Sequence, residues 1–184
     1  MELTDREIWA VIHGLILGTL FLLAFTGGLV GLWSLQARYV TVAGLKERIP
    51  RLGIWTGTMA VVAWLTVFTG TWIVYPWYRA DPTKLGIPTD VQSEALKDFP
   101  RYWLLASERT AQWHEFGMEW KEHVAWLAPF LATAVAFVVA YYGVRIIRKP
   151  EWRWPLIVLF SLAFIAAAVA GLFGAFITKA APVA

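Results

Sequence analysis

Four long stretches of this chain carry no charged side chain: Ile8 to Ala37, Leu52 to Tyr78, Val124 to Val144 and Trp154 to Thr178. A hydrocarbon core of about 30 Å is crossed by about 20 apolar residues in a helix, so each run is long enough to span it. The expected fold is therefore all-α, a bundle of four transmembrane helices forming a single membrane domain over residues 1–184. The spans are expected at about 8–36, 53–77, 122–145 and 154–178, with a long connection over about 78–121 between the second and third.

Composition points the same way, with 59% hydrophobic and only 16% charged residues. The net charge of +3 is small, and the basic residues fall in short blocks. A nucleic-acid surface needs a continuous basic stripe with interleaved aromatics, so that function class is set aside. Absence of Cys removes thiolate metal sites, iron–sulfur clusters and covalently attached haem, so any redox chemistry has to come from a bound cofactor. The first seven residues are acidic, unlike the basic start of a signal peptide, so the first run is expected to be a retained helix.

Short loops rich in Lys and Arg stay cytoplasmic. Arg38, Lys46, Arg48 and Arg51 follow the first run, and Arg145, Arg148, Lys149 and Arg153 follow the third. Both loops are expected inside, which puts both termini and the long connection outside, in a bacterial-type plasma membrane. The aromatics agree: Trp33, Trp55, Trp152 and Trp154 mark inner ends, and Trp72, Tyr75, Trp77 and Tyr78 an outer one. Pro76, Pro82, Pro88 and Pro100 punctuate the connection, residues from about Ser107 onward suit a helix, and Pro129 marks a bend in the third span. Trp113 and Trp120, one heptad apart, share a face.

The layout repeats. His13 precedes Arg38 and His123 precedes Arg145 at spacings that differ by less than one helical turn, and each half then passes a proline, Pro50 or Pro150, into a second span. His13 and His123 are thus expected at similar depth. An ionisable residue within a span is costly and is functional by default. Two readings fit this pair. In one, His13 hydrogen-bonds a neighbouring helix and His123 snorkels to the interface. In the other, the two imidazoles ligate one b-type haem from opposite sides. The His13 face also shows Leu20, Ala24, Gly27 and Gly31, small enough to admit a flat macrocycle, with Arg6 placed to pair with a propionate. Gly27 and Gly31 equally form the GxxxG spacing of plain helix packing.

His114 lies about two and a half turns from His123, on the opposite side of a straight helix, so the two cannot share an iron. Glu119 falls near the His123 face, and Glu119, Lys121 and Glu122 are read as solvated. His114 and Met118 with Glu115 and Glu119 sketch a weaker extramembrane metal site. Ser107 and Glu108 form no recognised hydrolase arrangement, and no phosphate-binding or dinucleotide loop is present. The spans hold none of the midplane charges of a transporter.

A four-helix bundle with a His near the outer ends of two non-adjacent spans resembles the membrane-anchoring b-type cytochrome subunits of respiratory and photosynthetic electron-transfer complexes. The resemblance rests on His13 and His123 and covers the four spans. It implies one haem b near the outer face, electrons passing between membrane quinol and an extracytoplasmic redox partner such as a cytochrome, other subunits of a membrane complex as partners, and a role as electron-transfer subunit in place of stand-alone catalysis. A quinone head is a further candidate ligand, unlocalised in the sequence. The alternative is a cofactor-free structural or assembly subunit.

Overall fold

The computed structural model describes residues 3–36 and 41–181, with backbone alone at Val42. Ala37 and Arg38, which enter the span and orientation readings above, lie outside the described residues. Within them all regular structure is helical. Four helices are long and apolar enough to cross a membrane, at Asp5–Trp33, Ala43–Leu85, Glu108–Arg148 and Pro150–Ala180, so the chain is a multi-pass membrane protein. Their continuous parts are named α1 (Asp5–Trp33), α2 (residues 42–78), α4 (residues 108–142) and α5 (Arg153–Ala180), with a short α3 (Pro100–Leu105) in the connection.

Local chemistry sets the ends. At the start of α1 the Thr4 hydroxyl accepts from the Glu7 amide while the Glu7 carboxylate accepts from the Thr4 amide at 2.8 Å, a reciprocal capping box. Helix α2 begins ahead of the expected second span and carries Pro50 in its interior, so Lys46, Arg48 and Arg51, read as loop, are helical. Pro50 forfeits only the bond to the Lys46 carbonyl, among exposed charged residues. In α4 the regular pattern lapses at Ala125 and Trp126, because Pro129 has no N–H for the Ala125 carbonyl.

The described residues gather into two compact units, each drawn from all four long helices. One, called the apolar unit, comprises Leu17–Leu65 and Leu127–Ala167. Its core is built on close approach at glycines. A Cβ added to Gly28 would lie 2.5 Å from Phe160, one added to Gly27 2.5 Å from Trp55, and one added to Gly31 2.8 Å from Leu52. Absent side chains on α1 are thus the sockets for large ones on α2 and α5. Phe25 stacks on Phe164 at 4.0 Å beside them. Thr56, fully buried, returns its hydroxyl to the Leu52 carbonyl of its own helix at 2.9 Å, and the Trp64 indole N–H donates to Thr133 at 3.0 Å.

The other, called the polar unit, comprises the residues up to Ile16, Thr66–Trp126 and those from Ala168 onward. Trp113 and Trp120 do share a face: Trp113 packs on Phe176 at 4.9 Å and Trp120 on Phe173 at 6.3 Å, both on α5. The connection is ordered by short 3-10 turns at Pro82–Leu85 and Glu94–Leu96 and by α3. Gly86, at φ 69°, ends the first of these turns in the left-handed conformation that glycine adopts without strain. Leu96 and Leu104 are fully buried, and the Trp103 indole donates to the Ala180 carbonyl at 3.0 Å, tying the connection to the end of α5.

Since the Gly28 socket is already full, Gly28→Ala should cost about 1–3 kcal/mol through overpacking. Gly57→Ala, where nothing lies within 4 Å, should be neutral or slightly stabilising in the same detergent unfolding experiment. Equal effects of the two would contradict the socket.

Candidate functional site

His13 stands in a π-helical turn, Val11–Ile16, within α1. Its Nδ1 meets the Thr69 hydroxyl of α2 at 2.9 Å. The same hydroxyl lies 3.1 Å from the Thr66 carbonyl of its own helix, so imidazole, hydroxyl and carbonyl form one short polar chain between α1 and α2. The imidazole rests on Gly70, where a Cβ would lie 2.9 Å from its Cε1. Glycine at that place is what allows the ring between α1 and α2.

The charged side chain within electrostatic reach of His13 is Lys121 of α4. Its ammonium packs over Gly174 of α5, where a Cβ would come within 2.9 Å of Nζ. Among the described residues nothing accepts a hydrogen bond from it and no carboxylate pairs with it. Lys121, read as solvated, is partly exposed and lays its ammonium over α5, on a helix that passes through two π-helical segments, Trp113–Met118 and Trp120–Val124, which shift the register of the side chains they carry.

A second imidazole is held nearby in sequence. His114 Nδ1 lies 2.8 Å from the hydroxyl of Tyr78, which is 6% exposed, and their rings are 5.9 Å apart. Arg79, Arg101, Glu119 and Glu122 are its charged neighbours. Arg79 also donates to the Tyr75 hydroxyl at 2.9 Å. The π-helical turns of α1, of α2 (Gly70–Val74) and of α4 all belong to this polar unit, and such turns recur at functional sites because they re-aim side chains out of helical register.

The remaining expected site residues are not drawn into one pocket. His123 is 69% exposed in its side chain and faces Glu119 of its own helix at 3.8 Å. Arg6 donates to the Asp98 carbonyl at 3.3 Å. Gly27 and Gly31 belong to the apolar unit, where Trp55 and Leu52 occupy the space a macrocycle would need. His13, with Nδ1 on Thr69, follows the reading of a histidine bonded to a neighbouring helix. A haem held between His13 and His123 does not fit residues so arranged. Among the described residues no three His, Asp or Glu side chains converge as metal ligands, and the sketch around His114 loses His114 Nδ1 to Tyr78 and Glu119 to His123.

The sequence reading gave no site role to Thr69, Gly70, Tyr78, Lys121 or Gly174. Their signal was present: Thr69 and Gly70 adjoin inside an uncharged run, and Lys121 sits at the edge of another. No known protein family matches the chain, and neither a curated protein nor a solved structure matches it. What fold and site define is a four-span, all-helical membrane protein with a polar constellation in one of its two units.

Ring-labelled nitrogen NMR checks the contact of His13 with Thr69. Thr69→Val should shift the His13 ring signals while leaving those of His114 in place. Tyr78→Phe should cost about 1–3 kcal/mol, the penalty of stranding a partly buried polar group, in unfolding measurements.

Proposed function

We propose that this chain is a membrane subunit of an energy-transducing electron-transfer complex, lying in a bacterial-type plasma membrane with both termini and the α2–α4 connection outside. There it takes quinol as its reductant. One observation carries the reading. The polar unit gathers His13, His114, Tyr78 and Lys121 in hydrogen-bonded or glycine-seated positions. An ionisable group within a span is expensive and marks a site of proton or ligand chemistry, and His13 lies inside an uncharged run.

Oxidation of a quinol releases electrons and protons together. In this reading the electrons leave to redox centres on other subunits or on an extracytoplasmic partner, and the imidazoles and the Tyr78 hydroxyl accept or pass the protons. No step runs through a haem between His13 and His123. The competing cofactor-free structural subunit is favoured by the glycine sockets of the apolar unit, which by themselves serve only packing.

The complex isolated with this chain settles the matter. Quinol-driven reduction should fall at least tenfold in a Tyr78→Phe, His114→Ala double variant with assembly intact. Loss of assembly with unchanged turnover per remaining complex would favour the structural role. A reduced b-type absorbance band that disappears in His123→Ala would overturn the haem-free assignment. Orientation is checked separately, because the chain has no Cys: Ala95→Cys should react with an impermeant thiol reagent from outside and Arg48→Cys only after the membrane is opened.

A further inference from the structure

Arg153 opens α5 with its guanidinium beside two indoles. Its Cζ lies 5.1 Å from the ring centre of Trp33, the last residue of α1, and 5.1 Å from that of Trp154 on its own helix. The indoles meet edge to face, 5.5 Å apart, and each is half exposed. Ring faces attract a cation but offer no oxygen lone pair to its N–H groups. The Arg153 Nε is buried with no acceptor among the described residues, and no carboxylate pairs with the side chain there. A buried donor left without an acceptor costs the fold free energy, so the arrangement is complete only when an oxygen ligand reaches it from outside the chain.

We propose that Arg153, framed by Trp33 and Trp154, binds the phosphate of an anionic phospholipid. Trp side chains collect at the level of the lipid head groups, which is where a phosphate stands. A guanidinium meets two phosphate oxygens with two parallel N–H bonds, a match that a point-charge ammonium does not make. Charge selects among lipids: from Arg145 to Arg153 four bases stand against one acid, Glu151, which Lys149 already approaches at 4.0 Å. A zwitterionic head group brings its own ammonium into that field, and an anionic one does not. Exposed apolar side chains continue along the spans from the indoles, Val30 on α1 and Val158 and Leu162 on α5, and give acyl chains a surface. The two helices are held together there by Phe25, which stacks on Phe160 at 5.6 Å and on Phe164 at 4.0 Å. Every residue named lies in the apolar unit, so the site stands whether or not the chain handles quinol.

The test uses the full chain purified in neutral detergent, with phosphatidylglycerol, phosphatidylcholine and inorganic phosphate as separate probes and bound lipid counted by native mass spectrometry. Wild type should hold phosphatidylglycerol about tenfold more tightly than phosphatidylcholine. Arg153→Met should abolish that preference. Arg153→Lys, which keeps the charge and loses the fork, should weaken it severalfold, and it carries the test if the Met variant does not fold. Arg48→Met, which removes an exposed base from the other basic block, should leave it unchanged. Equal affinity of the wild type for the two lipids would overturn the proposal. Equal losses in Arg153→Met and Arg48→Met would also overturn it, since they would show a diffuse basic surface in place of a site. Inorganic phosphate that displaces phosphatidylglycerol at equal concentration would make the ligand a free anion and overturn the lipid assignment.

Discussion

No water reaches the interior of a bilayer, so a backbone amide or carbonyl there has to be satisfied by the chain itself. That constraint makes the four spans helical and forbids open strands. It also governs the polar side chains, which turn either to their own helix, as Thr26 does to the Leu22 carbonyl and Thr56 to that of Leu52, or to a neighbour, as His13 does to Thr69. Once every backbone group is spoken for, little is left to hold one helix to the next except packing and a few such bonds. Lipid tails are as apolar as Leu, so association depends on fit.

Glycine supplies the fit in both units, with different partners. In the apolar unit Gly27, Gly28 and Gly31 take Trp55, Phe160 and Leu52, and the result is a dry core. In the polar unit Gly70 takes an imidazole and Gly174 an ammonium. The device is one and the same. What differs is whether the incoming side chain is finished when seated: Phe160 is, whereas the ammonium of Lys121 still has protons to donate. Chemistry can reside only where capacity remains.

The π-helical turns extend this division. An α-helix repeats its faces strictly, and a site built from Lys121, His114 and His123 on one straight helix would be scattered around it. Segments Trp113–Met118 and Trp120–Val124 break that strictness, sending Lys121 onto Gly174 and His114 onto Tyr78 while leaving His123 exposed. A turn of this type is less stable than the α-turn it replaces, and its position beside the polar pairs is where such a cost is offset by side-chain bonds.

The sequence by itself determined the number of crossings, the helical class and the pairing of Trp113 with Trp120 on one face, because apolar length and heptad spacing are properties read along the chain. It also flagged His13, since a titratable group in an uncharged run needs either a hydrogen-bond partner on a neighbouring helix or a ligand. It could not place Lys121 on Gly174 or give the exposure of His123, because both required knowing the angle at which a side chain leaves its helix, and that angle was altered by π-helical turns. Gly27 and Gly31 read equally well as room for a ligand or room for a neighbour. Only the tertiary structure could decide between these, since an empty socket and a filled one have the same sequence until the helix that fills it is in place.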